Sequence, residues 1–136
     1  MATSGPVLAI DPGRDKCGLA VVSAGGRILA REIVPPKKLA ERAASRAQQF
    51  PGASIIVGRG TGARAARAAL RAAGLEAIPV REEGTTLAAR ALYYREHPPR
   101  GWRRLIPITL QVPPVPLDDY AAVVIAERYM RDEAGA

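Results

Sequence analysis

Val7-Leu8-Ala9-Ile10-Asp11-Pro12-Gly13, followed after a short polar turn by Gly18-Leu19-Ala20-Val21-Val22, is the stretch on which the fold turns. Both apolar runs are short and end in turn residues, Asp11-Pro12-Gly13 after the first and Ser23-Ala24-Gly25-Gly26 after the second, so the pair reads as a hairpin. Arg27 to Val34 supplies a third strand, stopped by Pro35-Pro36, and the chain opens with an antiparallel meander. Beyond it the hydrophobic period changes. Lys37 to Phe50 places Leu39, Ala43, Ala47 and Phe50 at helical spacing, with Arg42, Arg46 and Gln49 elsewhere on the wheel, and Pro51-Gly52 ends the run. Ser54-Ile55-Ile56-Val57 is a continuous apolar run of the kind a strand buried on both faces needs. A glycine-rich loop, Gly58 to Gly62, leads into a helix over Ala63 to Ala73 stopped by Gly74, and Leu75 to Val80 reads as another short strand. A third helix is expected over Thr86 to Glu96, ended by Pro98-Pro99. A Pro- and Arg-rich loop then spans Arg100 to Pro116, and a last helix should run from Asp118 to about Arg131, with a frayed tail.

The order strand-strand-strand-helix-strand-helix-strand-helix-loop-helix is an α/β pattern, expected as one domain over 1–136. It predicts a mixed five-stranded sheet, three antiparallel strands followed by two parallel ones, flanked by helices. If the first, fourth and fifth strands are parallel neighbours, right-handed crossovers put their C-terminal ends on one sheet edge, where a site belongs.

Composition narrows the partners. With 136 residues the chain is too short for a bilobed kinase or ATPase, yet long enough to bury roughly 65 to 70% of its unfolded surface without disulfides or a structural metal. One Cys, Cys17, and one His, His97, exclude an internal disulfide and a zinc cluster; Cys17 reads as a plain buried thiol and His97 as a helix-end residue. Leu105 to Leu117 is a 13-residue uncharged stretch broken by four prolines, unable to span a bilayer, and the start carries no export pattern, so a cytoplasmic protein is expected. The formal net charge is +7, and 17 of the 20 basic residues are Arg, whose planar fork grips phosphate bidentately. A basic domain of this kind attracts polyanions, and nucleic acid is the leading partner.

Three acidic positions fall on the expected edge: Asp11 ends the first strand, Glu82 follows the last, and Asp118 opens the final helix. Taken singly, each has an ordinary structural use, in a tight turn or at a helix start. Brought together, carboxylates repel, a cost offset by a hard divalent cation bound through oxygen, for which Mg²⁺ or Mn²⁺ is the natural choice. Such a centre in a basic protein points to in-line phosphodiester hydrolysis.

These residues resemble the YqgF (RuvX) branch of RuvC-like, ribonuclease-H-fold nucleases, over nearly the whole chain from Val7 to about Met130. The family's strand-Asp-x-Gly-strand motif matches Leu8-Ala9-Ile10-Asp11-Pro12-Gly13 through Gly18-Leu19-Ala20-Val21, and its central strand and loop match Ile55-Ile56-Val57-Gly58. Its acidic element before a Thr pair matches Glu82-Glu83-Gly84-Thr85-Thr86, and its Asp-x-x-Ala-Ala helix start matches Asp118-Asp119-Tyr120-Ala121-Ala122. The resemblance implies a ribonuclease-H-like fold and makes Asp11, Glu82 and Asp118 the catalytic, metal-binding acids. Many members carry Asp-Glu-Arg in the middle element, whereas this chain has Arg81-Glu82-Glu83, so Glu83 is a rival for Glu82, as Asp119 is a rival or helper for Asp118. The family is linked to maturation of the 5′ end of 16S ribosomal RNA and, by kinship with RuvC, to cutting Holliday junctions, so structured RNA such as pre-rRNA and branched DNA are both implied substrates. Cutting two strands symmetrically would need a homodimer.

The basic residues suggest how a backbone would be held. Arg64, Arg67 and Arg71 share one helical face, with Arg59 just before them, and Arg14 and Lys16 flank the first motif. Tyr93-Tyr94-Arg95 and Arg100-Gly101-Trp102-Arg103-Arg104 join aromatic faces to guanidinium forks, with Trp102 expected either to stack on an unpaired base or to pack in the core. Two other classes remain: a catalytically inactive nucleic-acid-binding module with the same fold, and an ATP-binding relative sharing Asp-x-Gly, which would need a second lobe.

Overall fold

The computed structural model describes residues 5–81, 84–107, 110–111 and 113–135. Three strands open the chain, β1 (Val7–Asp11), β2 (Cys17–Val22) and β3 (Ile28–Val34). A one-turn 3-10 segment, Pro36–Lys38, precedes α1 (Leu39–Gln49). Then follow β4 (Ser54–Gly58), α2 (Ala63–Ala72), β5 (Ile78–Val80), α3 (Thr85–Glu96), a 3-10 segment over Gly101–Leu105, and α4 (Asp118–Gly135). The sheet order is β3-β2-β1-β4-β5, with β1 antiparallel to β2 and parallel to β4, and β4 parallel to β5. This is the expected mixed sheet, and it puts the ends of β1, β4 and β5 on one edge.

Alternation along the strands divides the core in two. Val7 and Ala9 face α3 and α4 together with Ala20, Val22 and Ile56. Leu8 and Ile10 face α1 and α2 with Leu19, Val21, Ile55 and Val57. A strand covered on both faces has no polar side to show, hence the unbroken apolar runs of β1 and β4. The segment Tyr120 to Ala126 of α4 is buried throughout, because the helix lies across β1, β2 and β3 and is covered by α3 as well. Such a helix has no strongly polar face, and its alanines let it approach closely.

Outside the two cores, α1 is fastened to β3 by charge. Arg42 Nε and Arg46 Nε donate to the Glu32 carboxylate at 2.8 and 2.6 Å. Burial pushes the Glu32 carboxyl up, but the hydrogen bonds and charges of the two arginines outweigh it and hold the group below the usual carboxylate range.

Two element lengths differ from expectation. β5 spans three residues rather than six, because Leu75 donates its N–H back to Leu70 at 2.9 Å across the Gly74 turn (φ +81°) and so belongs to the end of α2. Pro79, lacking an N–H, is accommodated because β5 is an edge strand. α4 continues to Gly135 instead of fraying near Arg131, and Tyr129 and Met130 still pack on the core. The opposite charges of Glu127/Arg131 and Arg128/Asp132 stand four apart, a spacing that supports a helix beyond its packed part.

Candidate active site

Asp11 closes β1 and pairs in register with Gly18 of β2. A Cβ at Gly18 would collide with the Asp118 carbonyl and would stand 2.8 Å from the Asp119 nitrogen, so the first turn of α4 rests directly on that glycine. By this contact the start of α4 is seated beside the end of β1. The intervening turn is equally tight, since a Cβ at Gly13 would strike the carbonyl of Lys16.

Asp11 and Asp118 line one open cavity of about 190 Å³, together with Thr86 and Arg90 of α3, over a floor of Ala89 and Ala121. Their joint field reaches Cys17. Burial pushes that thiol up, the Gly13 backbone hydrogen bond opposes the rise, and the charges of Asp11 and Asp118 add to it. Cys17 itself is buried and free, as expected.

The two adjacent acids of α4 point to different partners. Asp119 sits 3.1 Å from Arg31 Nε and accepts the N–H of Tyr120 at 3.0 Å. The Arg31 guanidinium lies 3.9 Å from the centre of the Tyr120 ring, and the Tyr120 hydroxyl donates to Glu96 at 3.0 Å. Asp119 thus belongs to a latch joining α4, β3 and α3, where burial pushes its carboxyl up and Arg31 opposes the rise. Asp118, not Asp119, lines the cavity.

Glu82 and Glu83 lie outside the described residues, in the connection from the end of β5 to α3. Among the described residues no group of three His, Cys, Asp or Glu could hold a metal ion. Two carboxylates on neighbouring elements, opening on one cavity, are a hard-oxygen donor set that fits Mg²⁺ or Mn²⁺ with water or substrate completing the shell. Thr86 and Arg90, which line the same cavity, stand at i, i+4 spacing just after the Gly84 helix start, the signal available in the sequence.

The basic candidates fall into two groups apart from this cavity. Arg59, Arg64 and Arg67 line a cleft of about 370 Å³ at the ends of β4 and β5. The buried Nε of Arg67 has no hydrogen-bond partner among the described residues. Arg14 and Lys16 are exposed in the turn after β1. In and just before the 3-10 segment, Arg100, Trp102, Arg103 and Arg104 are exposed, Trp102 by 69%, which excludes the core role for its ring. Gln111 holds this segment in shape, donating from Nε2 to the carbonyls of Arg103 and Ile106 at 2.8 and 2.9 Å.

Sheet order, helix placement and the acid-lined edge define a ribonuclease-H-like fold. Similar solved structures are RuvC of Thermus thermophilus (TM-score 0.61, 18% identity, covering 96% of this chain and 97% of that one) and the same protein in complex with a Holliday junction substrate (TM-score 0.60, 18% identity, 96% of each chain). Another is the large terminase nuclease from thermophilic phage G20c (TM-score 0.60, 13% identity, covering 91% of this chain and 81% of that one). No protein-family model matches the sequence, and no curated protein does. Among the described residues no helix is long and apolar enough to cross a membrane.

Proposed function

We propose that the chain is a divalent-metal-dependent endonuclease acting on structured nucleic acid, with the YqgF type of RuvC-like nuclease as its functional model. The observation that carries this reading is the Gly18 contact, which seats Asp118 beside Asp11 in an open cavity at the strand ends. Asp11 and Asp118, with Glu82 or Glu83, would hold Mg²⁺ or Mn²⁺. The ion would supply an activated water and stabilise the leaving oxygen of the cut phosphodiester. Arg90 lends positive charge to the same cavity, where a phosphate gains negative charge during displacement, and the Thr86 hydroxyl can orient a non-bridging oxygen. The two arginine groups hold the backbone.

A pre-rRNA fragment and a four-way DNA junction are the substrates to compare, in a cytoplasmic setting, with a homodimer required if paired cuts are made on the junction. Incubating the purified protein with each, in Mn²⁺ and in Mg²⁺, tests the reading: cleavage that stops when the cation is removed is expected. Binding of both without any cutting would make the chain a binding module instead.

A further inference from the structure

The C-terminal end of α3 and the arginine-rich segment enclose a second cavity, of about 370 Å³, within the roughly 300 to 1,000 Å³ range of small-ligand sites. Tyr94, His97, Pro98, Arg100 and Arg103 line it; Trp102 does not. We propose that this cavity receives one unpaired base of the bound strand, stacked on His97 and held at its phosphate by Arg100 and Arg103. The proposal rests on the nucleic-acid reading above and says where the strand leaves its partner.

Several observations lead to a base rather than to another ligand. The His97 imidazole is stacked on Tyr93, ring centres 4.5 Å apart and 19° from parallel, while the residue itself is exposed. A planar ring is therefore supported from beneath, and its other face remains as a platform for a second planar group. Its Nδ1 lies 3.2 Å from the Tyr93 carbonyl, a second contact that fixes the ring on the end of α3. Tyr93 is itself braced edge-to-face by Tyr94 and Tyr120 at 5.1 and 5.7 Å. Among the described residues two arginines and no acidic residue line the cavity, which suits an anionic backbone. The Gln111 hydrogen bonds to the Arg103 and Ile106 carbonyls preform the wall that carries Arg103.

Placement along α3 gives the cavity its meaning. Arg90 lines the acidic cavity and His97 caps the same helix seven residues on, about 10 Å along its axis. That is about three base steps at 3.4 Å per step of one strand. A base captured there would set a branch or unpaired segment at a fixed distance from the cut.

The test uses two oligonucleotides with Mn²⁺ omitted: a duplex with a three-nucleotide unpaired flap carrying one 2-aminopurine, and the same sequence fully paired. Fluorescence quenching of the flap base reports stacking, and anisotropy reports affinity. With the natural sequence, the flap base is expected to be quenched and the flap preferred over the duplex. His97→Ala and Arg103→Ala, both at exposed positions and checked by thermal melting, should each lower that preference about ten-fold. His97→Ala should also remove most of the quench. Quench lost in Trp102→Ala but kept in His97→Ala would overturn the proposal in favour of the exposed indole. Displacement of the flap by adenosine monophosphate at equal site concentration would make this a free-nucleotide site, which also overturns it. Cutting in Mn²⁺ without any quench removes the base cavity alone, whereas quench without cutting supports the cavity and removes only the nuclease reading.

Discussion

A methyl group at Gly18 would occupy the space of the Asp118 carbonyl, so even alanine must lift the first turn of α4 from β2. We expect Gly18→Ala to cost about 1–3 kcal/mol of stability, the range for overpacking, and to reduce cleavage beyond what the melt explains, because Asp118 moves relative to Asp11. A melt and a Mn²⁺-dependent cleavage rate on the same preparation check this; unchanged cleavage would mean the contact does not position the acid. The neighbouring carboxylates should separate by role. Asp11→Asn is expected to abolish cleavage while leaving nucleic-acid affinity within a few-fold, since under the proposed function it removes a metal ligand and not a backbone contact. Asp119→Asn should behave oppositely, changing stability little, because the burial that raises this carboxyl offsets its attraction to Arg31, and keeping substantial cleavage. If Asp119→Asn proved as dead as Asp11→Asn in a folded protein, the latch would be the wrong description of Asp119. The convergence of Asp11 and Asp118 could be read from the sequence, because each closes or opens an element whose direction the topology dictates. The choice between Asp118 and Asp119 could not. It depends on Arg31, which lies far away in the chain and reaches α4 only once β3 is packed beneath it.

At the level of elements, the Glu32 clamp joins α1 to β3 and carries a pH signature. Its carboxyl is lowered in the folded protein, so its contribution is fully present above the unfolded value of 4.5 and is lost as pH falls through the lower folded value. Glu32→Gln should therefore be less stable at neutral pH by about 1 kcal/mol, and the gap should close below about pH 4.5. Urea titrations in steps from pH 7 into the acid range measure both; a gap that does not narrow as the pH falls below 4.5 would assign the loss to packing. The clamp was hidden in the sequence for the same reason as the latch, since Arg42 and Arg46 read only as the polar side of a helix. β1, β2 and β4 were legible because an apolar run closed by turn residues has few other uses. β5 was overread because apolar composition cannot show that Leu75 bonds back to Leu70, and α4 was underread because its last turns depend on charge spacing and on the packing of Tyr129 and Met130.

For the whole molecule, the decisive feature is an acid-lined cavity in a chain of net charge +7, with arginines collected in two other cavities. Such a layout makes sense if one duplex spans all three regions, and salt dependence can show whether it does. Each phosphate contact removed lowers the magnitude of the log-log slope by about 0.9 on duplex DNA. Arg59→Ala with Arg64→Ala should lower it by about 1.8, and Arg103→Ala with Arg104→Ala by a similar amount. If one substrate lies across both arginine groups at once, the four substitutions together should lower it by about 3.6, because independent counterion releases add. If the two groups serve separate molecules, the tighter mode dominates the measurement, and the quadruple variant should show only the loss belonging to that mode. Fluorescence anisotropy of a labelled four-way junction between about 50 and 200 mM salt distinguishes additive from non-additive loss, a range over which a protein making six to ten phosphate contacts changes affinity by about 10³ to 10⁵. A non-additive result would leave the acidic cavity in place and restrict the substrate path to one of the two arginine groups.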